Sequence, residues 1–160
     1  MTKVEFESLV RGSQANLRSF LVAHCCGDCQ LADDIAQETY IKAFLSLSSL
    51  KDKSKFKSWL YRIAYTTFIN SRRSTSNLID LTEAEGIAAD VSSDSSFNYQ
   101  ELYKALSILS VEARSAILLF YIEGYSTNEI SSILGKSESN IRQLLSRGRK
   151  QLKSLIEKSE

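Results

Sequence analysis

Apolar residues recur every three or four positions along most of this chain, and small polar residues or glycine stand where the rhythm breaks. In "LADDIAQETYIKAFLSL" the stripe is Ala32, Ile35, Ala36, Thr39, Tyr40, Ala43, Phe44 and Leu47, which predicts a helix with that face buried. "KFKSWLYRIAYTTFINSRRS" predicts another, burying Phe56, Trp59, Leu60, Ile63, Ala64 and Phe68. Further on, Ser110 can N-cap a helix that runs to Glu123 and stops at Gly124. Ser126 with Glu129 forms a capping box for a short helix ending at Gly135. Ser137 then caps a long last helix with Ile141, Leu144, Leu145, Leu152, Leu155 and Ile156 on one stripe and Gly148 in the same line. Between these periodic stretches, residues 74–98 are rich in Ser and Asp and hold no sustained period, as a linker would. The pattern predicts an all-α protein: a helical domain over residues 1–73, a flexible acidic linker over 74–98, and a second helical domain over 99–160.

Composition sharpens this reading in two ways. Proline is absent and glycine scarce, which favours helices over sheets with tight turns. No apolar run is long enough for a membrane span, and "MTKVEFESLVRGSQ" begins as an amphipathic segment, not a signal peptide. The expectation is a cytoplasmic protein without membrane insertion. The net charge of +1 conceals an uneven distribution. Residues 1–75 carry eleven Lys/Arg against seven Asp/Glu, residues 76–109 one against six, and residues 110–160 eight against six. Two basic blocks flanking an acidic one point to an anionic partner for the blocks.

The last helix shows where that partner would bind. Opposite its apolar stripe stand Ser139, Arg142, Gln143, Ser146, Arg147, Lys150 and Lys153, with Arg149 beside them. No acid interrupts this face between Glu138 and Glu157, although a merely solvated helix usually mixes signs to gain i,i+4 pairs. A short helix, a three-residue turn with glycine and a polar-basic helix make a helix-turn-helix, whose second helix enters the major groove.

Two faces of the first domain carry further chemistry. On the helix around residue 40, Asp34, Gln37, Glu38, Ile41 and Leu45 lie away from the core stripe; exposed apolar residues beside carboxylate and amide groups fit a protein partner. On the following helix, Arg62, Thr66, Ile69, Asn70 and Arg73 share a face, with Tyr61 and Tyr65 alongside. The preceding "LKDKSKFK" adds Lys51, Lys53, Lys55 and Lys57. Cations interleaved with aromatic and polar side chains suit separating DNA strands, while packing is the other reading for both tyrosines.

Taken together, "DDIAQETYIKAF", "FKSWLYRIA" and the C-terminal helix-turn-helix resemble bacterial RNA polymerase sigma factors of the extracytoplasmic-function (ECF) class, over almost the whole chain. The resemblance implies that the first domain binds core RNA polymerase and opens the minus-ten promoter element, while the second reads the minus-thirty-five element. It places polymerase contacts at Asp34, Gln37 and Glu38, a strand-opening position at Asn70, and promoter-reading positions at Arg142, Gln143, Ser146 and Arg147. It also implies that an anti-sigma factor can hold the domains together. Thr66 stands where the family often has Asn, Ser110 near a usual Pro, and "SNIRQL" in place of "GTVKSR". A DNA-binding regulator that never enters polymerase, and a purely protein-binding helical module, are the competing readings.

"HCCGDC", residues 24–29, holds the only His and all three Cys. The CxxC spacing suits zinc, but adjacent Cys25 and Cys26 are awkward ligands for one ion, so reduced thiols in a loop between the first two helices are expected and no metal. No phosphate-binding glycine loop, nucleophile–base pair or paired carboxylates emerge, so neither catalysis nor a cofactor is expected.

Overall fold

A computed structural model describes residues 1–78 and 99–158 of the protein. Among these residues it is built from helices: α1 (Lys3–His24), α2 (Cys29–Leu45), α3 (Phe56–Leu78), α4 (Tyr99–Ile108), α5 (Val111–Ile117), α6 (Thr127–Leu134) and α7 (Glu138–Lys158). The expected linker lies outside the described residues from position 79 onward, and residues 74–78 continue α3 as helix.

Local chemistry sets most helix ends. A capping box opens α1, with the Thr2 hydroxyl accepting from the Glu5 amide and the Glu5 carboxylate accepting from the Thr2 amide. The chain then turns through Cys26 (φ 56°) and Gly27 (φ 94°) before Asp28 caps α2 by accepting from the Leu31 amide. Cys26 is the one non-glycine residue with positive φ among the described residues. The Ser110 hydroxyl caps α5, which widens into a π-helical turn over Leu118–Ile122 and stops at Gly124, φ 75°. The Ser126–Glu129 capping box opens α6, and Gly135 ends it in the left-handed conformation that only glycine adopts without strain. The Ser137 hydroxyl accepts from the Asn140 amide at the start of α7.

In the N-terminal half α1, α2 and α3 enclose Leu17, Phe20, Leu21, Ala32, Ile35, Phe56, Leu60, Ala64 and Phe68. In the C-terminal half α5, α6 and α7 enclose Ala113, Ala116, Leu119, Ile130, Ile133, Ile141 and Leu145. The halves also pack on each other, α1 against α5 and the wide turn after it, and α3 against α6. Bundles this small leave apolar surface that they cannot cover alone.

α7 crosses α5 closely at Gly148, where a Cβ atom would lie 3.0 Å from Cγ1 and 3.2 Å from Cδ1 of Ile117. Gly148→Ala is expected to be near neutral, since helix propensity gains what the contact loses. Gly148→Val is expected to lose ~1–3 kcal/mol through overpacking, measurable by urea unfolding.

Candidate nucleic-acid interface

Glu138 ties the start of α7 to α6. One of its carboxylate oxygens accepts from the Thr127 hydroxyl of α6 at 2.8 Å and from the Arg142 guanidinium one turn further along α7, also at 2.8 Å. In the sequence Glu138 stands only as the acid that bounds the basic face; its tie to Thr127 was not readable, because it depends on how α6 meets α7. Beyond this junction Ser139, Arg142, Gln143, Arg147, Arg149, Lys150 and Lys153 are exposed and Ser146 is half-buried. Ile141, Leu145 and Gly148 hold the opposite side in the core, and Leu144, Leu152 and Leu155 are half-buried; the Ile156 side chain lies outside the described residues. Arg149 stands on the flank, donating to the Tyr121 hydroxyl at 3.1 Å. The helix thus offers forked and single-point donors on one surface, the chemistry that base edges and phosphates each require.

On α3, Arg62, Thr66, Asn70 and Arg73 are exposed and Tyr65 is half-buried. Tyr61 corrects the expectation. It is fully buried, edge-on to Phe20 at 5.0 Å and to Tyr125 at 5.8 Å between the centroids, so it presents nothing to DNA in this arrangement. Burial first, then the neighbouring Glu123 carboxylate, pushes its phenol far above the ordinary range. The cause is α6: the C-terminal half covers the side of α3 on which Tyr61 lies. Arg62 reaches the same half, with Nη1 at 3.5 Å from the Ser132 carbonyl of α6. Of the loop lysines, Lys55 is exposed and Lys53 pairs with Glu5 at 2.9 Å.

Between α2 and α3 lies a cleft of about 480 Å³, lined among others by Ser46, Ser49, Trp59, Arg62 and Thr66. Sequence reasoning placed Trp59 in the core and missed the serines; Trp59 is half-buried, its ring forming part of the cleft wall. Hydroxyls, a guanidinium and an aromatic face in one recess match the groups that hold an unstacked base.

The outer face of α2 exposes Asp34, Gln37 and Glu38, with Ile41 at 61% and Leu45 at 76% exposure. Phe44 departs from its expected place in the core. It is 47% exposed, touching Phe6 with ring centroids 5.6 Å apart, and so extends the apolar patch of Ile41 and Leu45.

The histidine-cysteine stretch does connect α1 to α2, but most of it is not an open loop. His24 and Cys25 are buried, and Nε2 of His24 hydrogen-bonds the Ser115 hydroxyl of α5. All three cysteines are free thiols, and burial pushes Cys25 up to about 12. No group of three or more His, Cys, Asp or Glu suited to a metal occurs among the described residues. Nor is any described helix long and apolar enough to cross a membrane.

Two helical halves, one ending in a helix-turn-helix with an open basic face, define a two-part protein of the helix-turn-helix DNA-binding class. Known families narrow this: Sigma-70 region 2 matches residues 9–77 and Sigma-70, region 4 matches residues 99–152. The RNA polymerase sigma factor YlaC of Bacillus subtilis is 32% identical over 143 residues, covering 81% of this chain and 80% of YlaC. The ECF RNA polymerase sigma-E factor of Escherichia coli K12 is 33% identical over 116 residues, 63% of this chain; the match spans 61% of the length of sigma-E. Among solved structures, the sigma factor RpoE of Bartonella quintana, in complex with the anti-sigma factor NepR, superimposes with a TM-score of 0.84 at 26% identity, covering 96% of this chain and 97% of RpoE. CnrH, solved with the cytosolic domain of CnrY, shares the fold at a TM-score of 0.73 and 22% identity, covering 99% of this chain and 92% of CnrH. The chain belongs to the sigma-70 family of RNA polymerase sigma factors, in its ECF class. That family consists of transcription initiation factors, not enzymes.

Proposed function

We propose that this protein directs core RNA polymerase to particular promoters in the cytoplasm and helps open the DNA there. The observation that carries the reading is the division of DNA-facing chemistry between the two halves. Each half matches one sigma region, and each exposes its own set of cationic and hydrogen-bonding side chains. In this reading α7 reads the minus-thirty-five element through Ser139, Arg142, Gln143, Ser146 and Arg147, with Arg149, Lys150 and Lys153 toward phosphates. Lys53, Lys55, Arg62, Tyr65, Thr66, Asn70 and Arg73 serve the minus-ten element, where the cleft beside Trp59 can receive a base taken out of the stack. The α2 patch of Asp34, Gln37, Glu38, Ile41 and Leu45 docks on polymerase, and it is this patch that disfavours a regulator acting on DNA alone. Run-off transcription with purified core polymerase on a promoter library tests the reading; no transcript above core alone would refute it.

Strand opening can be separated from docking. Asn70→Ala and Arg62→Ala are each expected to lower open-complex formation roughly tenfold, the effect of losing one strong hydrogen bond, with polymerase affinity unchanged. Permanganate reactivity of the minus-ten region reads the first, and co-purification the second.

An anti-sigma factor as a further partner is supported by a separate feature. An apolar groove of about 660 Å³ runs between the halves, walled by Phe20 and Ala23 of α1, Leu102 and Leu106 of α4, and Tyr121 and Ile122 after α5. Arg149, Lys153 and Glu157 of α7 also line it. A helix laid there would touch both halves at once.

A further inference from the structure

Two buried polar side chains of α5 meet the end of α1 across the junction of the halves. Arg114, 6% exposed, donates to the carbonyls of Leu106 at 2.8 Å and Leu109 at 3.3 Å within its own half. It also donates across the junction to the carbonyl of His24 at 2.7 Å. His24 is the last residue of α1, so the guanidinium sits at the negative end of a helix dipole. Next to it, the Ser115 hydroxyl donates its proton to the Val111 carbonyl at 2.7 Å, and its oxygen accepts from His24 Nε2–H. That fixes the neutral tautomer of His24 and leaves Nδ1 buried and without a partner.

We infer that the protein by itself is held closed, in an arrangement that cannot read a promoter, by a polar clasp of His24, Ser115 and Arg114. The inference rests on the proposed reading of two promoter elements by the two halves. Elements named minus ten and minus thirty-five are about 25 base pairs apart, or about 85 Å along the duplex. Such a segment is far shorter than the persistence length of DNA, about 150 base pairs, and does not fold back on itself. Yet α3 packs on α6 and α6 on α7, each at an interaxial spacing of about 10 Å, and Arg62 already touches α6. Closure therefore has to be undone before both elements are engaged. A junction fastened by buried polar groups suits this, because those groups regain water on opening, whereas an all-apolar seam would only lose by it.

Acid should release the clasp. A proton on Nδ1 would be a buried donor without an acceptor, beside Arg114 of α5 and Arg72 of α3, among the rings of Phe20, Tyr65 and Phe68 and next to the Cys25 thiol. Burial first, then Arg114 and Arg72, takes His24 from 6.5 down to about 3. The closed state thus binds fewer protons than the open one. Closure has its full strength above pH 6.5 and weakens as pH falls toward 3.

Small-angle X-ray scattering of the full chain, with helix content followed by circular dichroism, tests this without polymerase or DNA. At pH 7.5 the wild type is expected to be compact, with a radius of gyration near that of one globule of its length, about 15 Å. Ser115→Ala leaves His24 Nε2–H without its acceptor and is expected to raise the ratio of open to closed forms about tenfold at unchanged helix content. At pH 5 the wild type is expected to open in the same way. His24→Phe keeps a ring in the cavity, gives up the bond to Ser115 without stranding a donor and cannot be protonated, so it is expected to show the same ratio of open to closed forms at both pH values. A wild type already extended at pH 7.5, or a His24→Phe chain that opens in acid as readily as the wild type, would overturn the clasp. Should Ser115→Ala fail to fold, the comparison of His24→Phe with wild type across pH still decides. A closed chain that supports no transcription would refute the sigma-factor reading and leave the clasp standing.

Discussion

A protein carrying Gln37→Ala with Glu38→Lys is expected to fold normally and to lose core polymerase affinity about 100-fold, the loss of ~2–3 kcal/mol typical of a central interface position. Both side chains are exposed on α2, one turn from Ile41 and two from Leu45, whereas Ile35 and Thr39 hold the buried side of the same helix. The contact that the double substitution breaks is the exposed i,i+4 pair of Glu38 with Lys42, 3.3 Å apart. Such pairs contribute only a few tenths of a kcal/mol, and the like charges that replace it cost a similar amount. Fold and docking are therefore separable at this site. Fluorescence titration against core polymerase, with urea unfolding as control, makes the comparison. A stable double variant that binds polymerase as tightly as wild type would remove the docking role from this face.

Arg142→Ala and Lys150→Ala are expected to damage promoter binding in different ways. Arg142 lies near the N-terminal end of α7, where its fork is held by Glu138, the residue that also joins α7 to α6 through Thr127. That places a bidentate donor at a fixed height on the helix, beside the exposed Gln143. Loss of a base contact costs ~1–3 kcal/mol and relaxes the preference at one promoter position. Lys150 is exposed two turns further on and offers a point charge suited to a phosphate. Its loss weakens binding to all sequences and flattens the salt dependence by about one unit of slope. Selection from randomised promoters across a salt series separates the two. Identical behaviour of the variants would abolish the distinction between reading and anchoring residues.

Features whose hydrogen bonds close within three or four residues were legible in the chain alone. Ser110, Ser126 with Glu129, and Ser137 each cap the helix expected of them, because a cap joins a side chain to an amide three positions away. The stripe of α7 and the exposed positions on α2 follow from helical period, and the three resembling motifs identified the family because they stand in order over nearly the whole chain. The tertiary structure decided what depends on which surfaces meet. It buries Tyr61 under α6, and it leaves Phe44 at the edge of a bundle too small to cover it. His24 and Ser115 are 91 positions apart, and each reads in sequence as an ordinary polar residue. Only the docking of α1 on α5 removes both from water, and a buried polar group then needs a partner whose distance along the chain carries no signal of its own.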